Sequence, residues 1–344
     1  MIIFDLLLFM KNVCLNRKYI TTFCLLLTSC YTLTAQEWPE IQPEARPATR
    51  WWWMGSAVDE VNLTYNLEEY AKAGLGGVEI TPIYGVQGND ANNLSFLSPE
   101  WMKMLRHTQD EGKRLGIEID MNTGTGWPFG GPEVDMKDAA TKAIFQSYQV
   151  KGGEAVSLDV SVRDKRQKPV AHLSCAMAYS DKKHCLNLTS YVHDGILQWQ
   201  VPEGKWEIVV LYVGKTFQKV KRAAPGGEGY VMNHLDRDAV KRYFSKFDRA
   251  FRENKMVYPH TFFNDSYEVY GADWTPDFLE QFARRRGYKL ENHFLEFLDQ
   301  GRPDITARIV SDYRETISEL LIENFSKQWT AWAHSLSLLH ISEP

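Results

Sequence analysis

The sequence predicts an α/β fold: the first part of a (β/α)8 barrel of the TIM type, incomplete in this chain, with an inserted antiparallel β domain. Three observations predict it. Strand-like and helix-like stretches alternate over residues 50–121 and again from residue 236. Between them, residues 146–225 hold short β-like runs separated by glycine turns. The countable parallel strands number four, half of a closed ring of eight.

RWWWMG, Arg50 to Gly55, is the first strand. Successive side chains of a strand point to opposite faces, so Trp51 and Trp53 share one side and Trp52 takes the other. VNLTYNLEEYAKAG repeats apolar residues at helical spacing and stops at Gly74. GGVEITPI is the second strand. At Ser98-Pro99-Glu100 a hydroxyl caps a helix, and proline takes the first position, where its missing N–H costs nothing. That helix runs to Leu115 and ends at Gly116, before a third strand, IEIDM. Each helix returns the chain to start alongside the previous strand, so pairing is parallel.

The insert reads as a small sandwich from AVSLDVSV, PVAHLSCAMAY, GILQWQV and KWEIVVLYV, with turns at Gly152-Gly153, Asp194-Gly195 and Glu203-Gly204. A helix over Asp236–Glu253, a strand over Val257–Phe263, and helices over Thr275–Arg286, Glu291–Leu298 and Ile305–His334 resume the pattern. SLLHISEP brings no further strand and helix. Half a ring exposes two sheet edges. The expectation is therefore a fragment of a longer protein, with 337–344 set aside as a candidate non-native tail.

The composition is that of a globular protein, 44% hydrophobic and 24% charged. A net charge of −5 is mild and implies no polyphosphate-binding surface. Aromatics at 13%, with 11 Trp, fit sugar stacking, although a core rich in large side chains is the plainer cause. Residues 1–35 read as a signal peptide: Lys11, Arg17 and Lys18 precede an apolar run, with small residues before Ala35. Met10 is a candidate start. Leu27-Thr28-Ser29-Cys30 also fits a lipoprotein box, with a lipid anchor at Cys30. The expected location is secreted or periplasmic, alternatively the outer membrane, with no transmembrane helix after cleavage. Cys175 and Cys185 remain for the folded part, as a disulfide or as two free thiols.

Chemistry is expected at the C-terminal strand ends. The candidates there are Trp52 and Trp53, Glu79, Asp120, Asn122, Trp127, and the acids Asp265 and Glu268 of FFNDSYEVYG. An acid held among Tyr267, Tyr270 and Trp274 is desolvated, which favours its protonated form and suits a general acid. Its plainer role is a cap or a loop ion pair. Glu79 and Asp120 suit sugar hydroxyls, a cation such as Ca²⁺, or an ordinary ion pair. GTGWPFGGP lacks the lysine and spacing of a phosphate loop. Its glycines let backbone approach a ligand, with Trp127 as a stacking wall, unless the loop is simply packed. Glu228 is a weaker candidate of the same kind. His234 and His260 read as structural, and Ser266 lacks a nucleophile elbow. Trp53 is expected to matter more for sugar binding than for stability.

RPATRWWWMG, GLGGVEITPIYG, DMNTGTGWPFGGP, APGGEGYVMNHLDRDAV and FFNDSYEVYGADWTPDFLEQFARRRGY occur in that order. Together they resemble glycoside hydrolase family 106, the α-L-rhamnosidases, over about Arg46 to His334. The resemblance implies inverting hydrolysis of terminal α-L-rhamnose from plant glycans, with two glutamates and Ca²⁺ assistance; the metal ligands are not assigned. Inversion needs an acid and a base carboxylate roughly 6.5–9.5 Å apart. Glu268 matches the acid. The base is expected beyond residue 344, so the fragment alone is expected to be inactive. The alternatives are a non-catalytic glycan-binding surface protein and a barrel glycosidase for another sugar.

Overall fold

The structure, a computed structural model, describes residues 39, 41–42, 45–181, 184–264, 267–298, 303–336 and 339–342. The signal segment, Cys30, Asp265 and Ser266 lie outside the described residues. The first run is β1 (Ala48–Met54), α1 (Glu60–Lys72), β2 (Gly77–Ile83), α2 (Pro99–Leu115) and β3 (Glu118–Asn122). Local chemistry sets its boundaries. Asp59 accepts the Asn62 N–H to cap α1, and Ser98 accepts the Trp101 N–H to cap α2. Gly116 ends α2 with a left-handed φ of 68°.

β4 (Gly130–Gly131) precedes the antiparallel unit, which holds β5 (Thr141–Lys151), β6 (Ala155–Asp159), β7 (His172–Ser180), β8 (Cys185–Asn187), β9 (Val192–His193), β10 (Ile196–Gln200) and β11 (Lys205–Lys215). β12 (Tyr230–Val231) pairs back onto β4. Then come α3 (Arg237–Glu253), β13 (Thr261–Asn264), α4 (Phe278–Arg286), α5 (Phe294–Leu298) and α6 (Pro303–Leu320). A π-helical stretch, Leu321–Ser326, leads into α7 (Lys327–Ser335), and β14 (Leu339–Ser342) follows.

β1-β2-β3-β13-β14 form one parallel sheet, open at both ends among the described residues. Leu339–Ser342 thus adds a fifth parallel strand in the stretch that the sequence pattern left out. The strand expected over Val257–Phe263 is confined to Thr261–Asn264. Pro259 has no N–H to offer a ladder, and pairing begins after it. One face of the sheet is apolar. Trp51, Trp53, Val78, Ile80, Ile119, Met121 and Phe262 are buried there in a core with Leu63, Leu67, Trp101, Leu105, Phe247 and Trp329 from the helices. The other parity gives Arg50, Trp52, Glu79, Thr81, Asp120, Asn122 and Phe263, and places the polar groups on the opposite face.

The insert pairs two antiparallel sheets, β5-β11-β7-β8 and β6-β10-β9. β11 alternates between two cores. Ile208, Val210 and Tyr212 enter the sandwich, whereas Val209, Leu211 and Val213 enter a cluster with Phe278, Phe282, Phe294 and Leu320 of the helices. Cys175 and Cys185 are both free thiols, which decides between the two sequence alternatives. No described helix is long and apolar enough to cross a membrane.

Candidate carbohydrate site

In-register pairing sorts the polar face into rows. Arg50 lies opposite Glu79, and Glu79 opposite Asp120; one step toward the C-terminal edge, Trp52 lies opposite Thr81, and Asn122 opposite Phe263. Glu79 and Asp120 are therefore mid-strand, not at the strand ends, because β2 continues to Ile83 and β3 to Asn122. Glu79 accepts from Arg50 Nε at 3.1 Å and from the Thr81 hydroxyl at 2.7 Å. Asp120 lies 3.1 Å from His260 Nδ1, which also stands 3.4 Å from Glu118. Burial pushes the Asp120 carboxyl above the usual carboxylate range, partly opposed by His260.

The edge row carries the aromatics. Trp52 is 43% exposed and stacks on Trp127 with centroids 6.1 Å apart and planes 26° off parallel. Arg50 lies over Trp52 at 5.5 Å and over Phe263 at 5.1 Å; Arg222 lies over Trp127 at 5.9 Å and Tyr84 at 5.8 Å. Two guanidinium groups thus flank the stacked Trp52–Trp127 pair, each cation–ring contact worth about 0.5–1 kcal/mol where exposed. Trp53 is elsewhere. It is 1% exposed and packs on Trp101 in the helix-facing core, which corrects its expected contact with sugar. The parity that exposes Trp52 requires this.

Asn122 is 6% exposed, and its Oδ1 has no partner among the described residues; the same holds for the buried hydroxyls of Thr123 and Thr125. These atoms open the glycine-rich loop. Gly126 has a φ of 62°, and a Cβ there would meet the Lys221 carbonyl oxygen at 2.0 Å. That closeness lets Trp127 and Lys221 exchange backbone hydrogen bonds of 3.1 and 2.8 Å, while the Tyr84 N–H donates to the Arg222 carbonyl at 2.9 Å.

Residues 218–222 then reach the second loop. Gln218 Nε2 donates to the Glu268 carbonyl at 2.8 Å, and its Oε1 accepts the Tyr270 N–H at 2.7 Å. Glu268 is exposed, with Tyr270 Oη 3.3 Å from its Oε2. The expected aromatic enclosure of this acid is not formed. Tyr267 and Tyr270 are 39% and 58% exposed, and Trp274 is buried against Phe278 in the helical cluster. Asp265 lies outside the described residues.

His234 is structural. It is 2% exposed, its Nδ1 meets the Met232 carbonyl at 3.0 Å, and burial pushes its imidazole down to about 4. Glu228 accepts the Gly226 N–H at 3.0 Å, a turn contact. Among the described residues, no three His, Cys, Asp or Glu side chains converge as a metal ligand set. Glu79 and Asp120 are engaged by Arg50 and His260, so these residues do not fit Ca²⁺. The sequence pattern missed Arg50, Tyr84, Gln218, Lys221 and Arg222. Arg50 shares the parity of Trp52, which was a usable signal; the run KVKR at 219–222 was another.

An aromatic rim and an exposed carboxylate along one edge of a parallel sheet suit the stacking of a sugar ring beside an acid. A family model described as alpha-L-rhamnosidase, that of glycoside hydrolase family 106, matches residues 40–168 and 159–344, and the chain belongs to this family. A relative from Formosa agariphila, named putative beta-glucuronidase, is 26% identical over 348 residues, covering 88% of this chain and 30% of the relative. The solved structure of the rhamnosidase from Novosphingobium sp. PP1Y matches with a TM-score of 0.67 at 16% identity, over 88% of this chain and 46% of that one. At that identity the likeness is one of fold. The chain spans less than half the length of either protein.

Proposed function

We propose that the sheet is part of a (β/α)8 ring in an exported α-L-rhamnosidase that removes terminal rhamnose from plant glycans with inversion, Glu268 giving the proton. One observation carries this. The segment 218–222 ties the Trp52–Trp127 platform to the Glu268 loop, through Lys221–Trp127 and Gln218–Glu268 hydrogen bonds. A sugar ring laid on Trp52 has an apolar face to offer it. Glu268 protonates the departing oxygen, and a second carboxylate activates water across the ring. Asn122 is a buried amide paired with Phe263 on the same face of the sheet as Trp52, and its open Oδ1 suits a sugar hydroxyl.

Glu268→Gln in the full-length protein tests the acid. Turnover of poor leaving groups should fall at least about a hundredfold with binding retained. Unchanged turnover would reassign the acid. The name of the Formosa relative supports a second reading, a glycosidase for another sugar. Aryl α-L-rhamnoside and aryl β-D-glucuronide offered side by side separate the two.

A further inference from the structure

The segment that closes the site carries Lys219, Lys221 and Arg222 in four consecutive residues, in a chain of net charge −5. Arg222 is exposed and holds a left-handed φ of 58°, unusual for a residue with a Cβ. The hydrogen bonds from Tyr84 to Arg222 and between Trp127 and Lys221 hold it there. The Arg222 guanidinium lies against Tyr84 and Trp127, and the Lys221 ammonium sits 4.3 Å from the Tyr270 ring centroid. Among the described residues, neither side chain forms an ion pair. Arg50, by contrast, is paired with Glu79.

A neutral deoxysugar is served by an aromatic face and a carboxylate; it gives two such cations nothing to neutralise. We propose that Arg222 and Lys221 form a subsite for an anionic group, a uronic carboxylate or a sulfate ester, on the sugar adjoining the one stacked on Trp52. A guanidinium set beside two rings, with no carboxylate on it among the described residues, keeps N–H donors for such a group, which it can grip in two places. Lys221 adds a point charge on the Glu268 side. This assignment rests on the glycosidase reading, and it narrows the substrate to acidic glycans.

The test is calorimetric titration of the full-length Glu268→Gln protein with rhamnose-containing oligosaccharides in two arms: uronic acid against its methyl ester, and sulfated against desulfated. The anionic form should bind about fivefold tighter in one arm, which identifies the group. The gap should close at high salt and in the Arg222→Gln/Lys221→Gln variant, whose circular dichroism and melting confirm folding. Lys221→Arg should keep it. Equal affinity for charged and neutral forms in both arms, a gap that survives the double substitution, or no binding of any form overturns the proposal. Hydrolysis of an aryl α-L-rhamnoside by the full-length protein is scored separately. Its absence would sink the glycosidase reading while the binding preference still stands or falls on its own.

Discussion

Two neighbouring tryptophans in one strand do opposite work, and substitution should separate them. Trp53→Ala opens a hole beside Trp101 and should cost roughly 3–5 kcal/mol in urea unfolding. Trp52→Ala should change stability by about 1 kcal/mol or less, yet weaken sugar binding in a titration. Alternation along a strand made this division legible from RWWWMG alone; which side met the helices was not, because only the packing partner decides it. His234 gives a pH signature. Its imidazole stays neutral down to about 4 in the fold but takes a proton near 6.5 when unfolded. Between those values the unfolded chain binds the extra proton, so stability present above 6.5 is lost as the pH falls toward 4, by up to roughly 3 kcal/mol. His234→Phe should flatten that slope when urea midpoints are compared near pH 7 and near pH 5.

At the scale of elements, caps and close approaches set the positions. Ser98→Ala removes the acceptor for the Trp101 N–H and should cost about 1 kcal/mol by thermal unfolding. Gly126→Ala would drive a methyl group into the Lys221 carbonyl. Its effect should fall on kcat/KM more than on melting, because it parts the Trp127 loop from residues 218–222. Helix starts at Ser98 and Asp236 and the stop at Gly116 could be read from sequence, since their chemistry is local. β5 could not. Its stretch TKAIFQSYQVK is half-buried on both faces, and its strand character comes from pairing with β11, distant in sequence. The run KVKR marks the charges of Lys221 and Arg222 in the sequence, but their place at the rim comes from backbone pairing of Lys221 with Trp127, which is distant in the chain.

For the whole molecule, an aromatic rim at one edge of a parallel sheet was foreseeable from the alternation of strands and helices, whereas the mid-strand place of Glu79 and Asp120 depended on register. The two thiols bear on the molecule as a whole as well. Burial pushes both above their usual range, Cys175 to about 12. Iodoacetamide should label half-buried Cys185 first and Cys175 only after denaturation, and reductant should leave the melting temperature unchanged. β11 has the widest reach. Its two faces serve separate hydrophobic clusters, and from residue 43 onward the chain forms one compact unit. The sandwich consequently cannot be excised as an autonomous module: cutting it out would strip the helices of a wall. Protease nicks in its turns should leave the pieces associated, and calorimetry should trace a single melting peak, with loss of the insert and loss of the parallel sheet as one event.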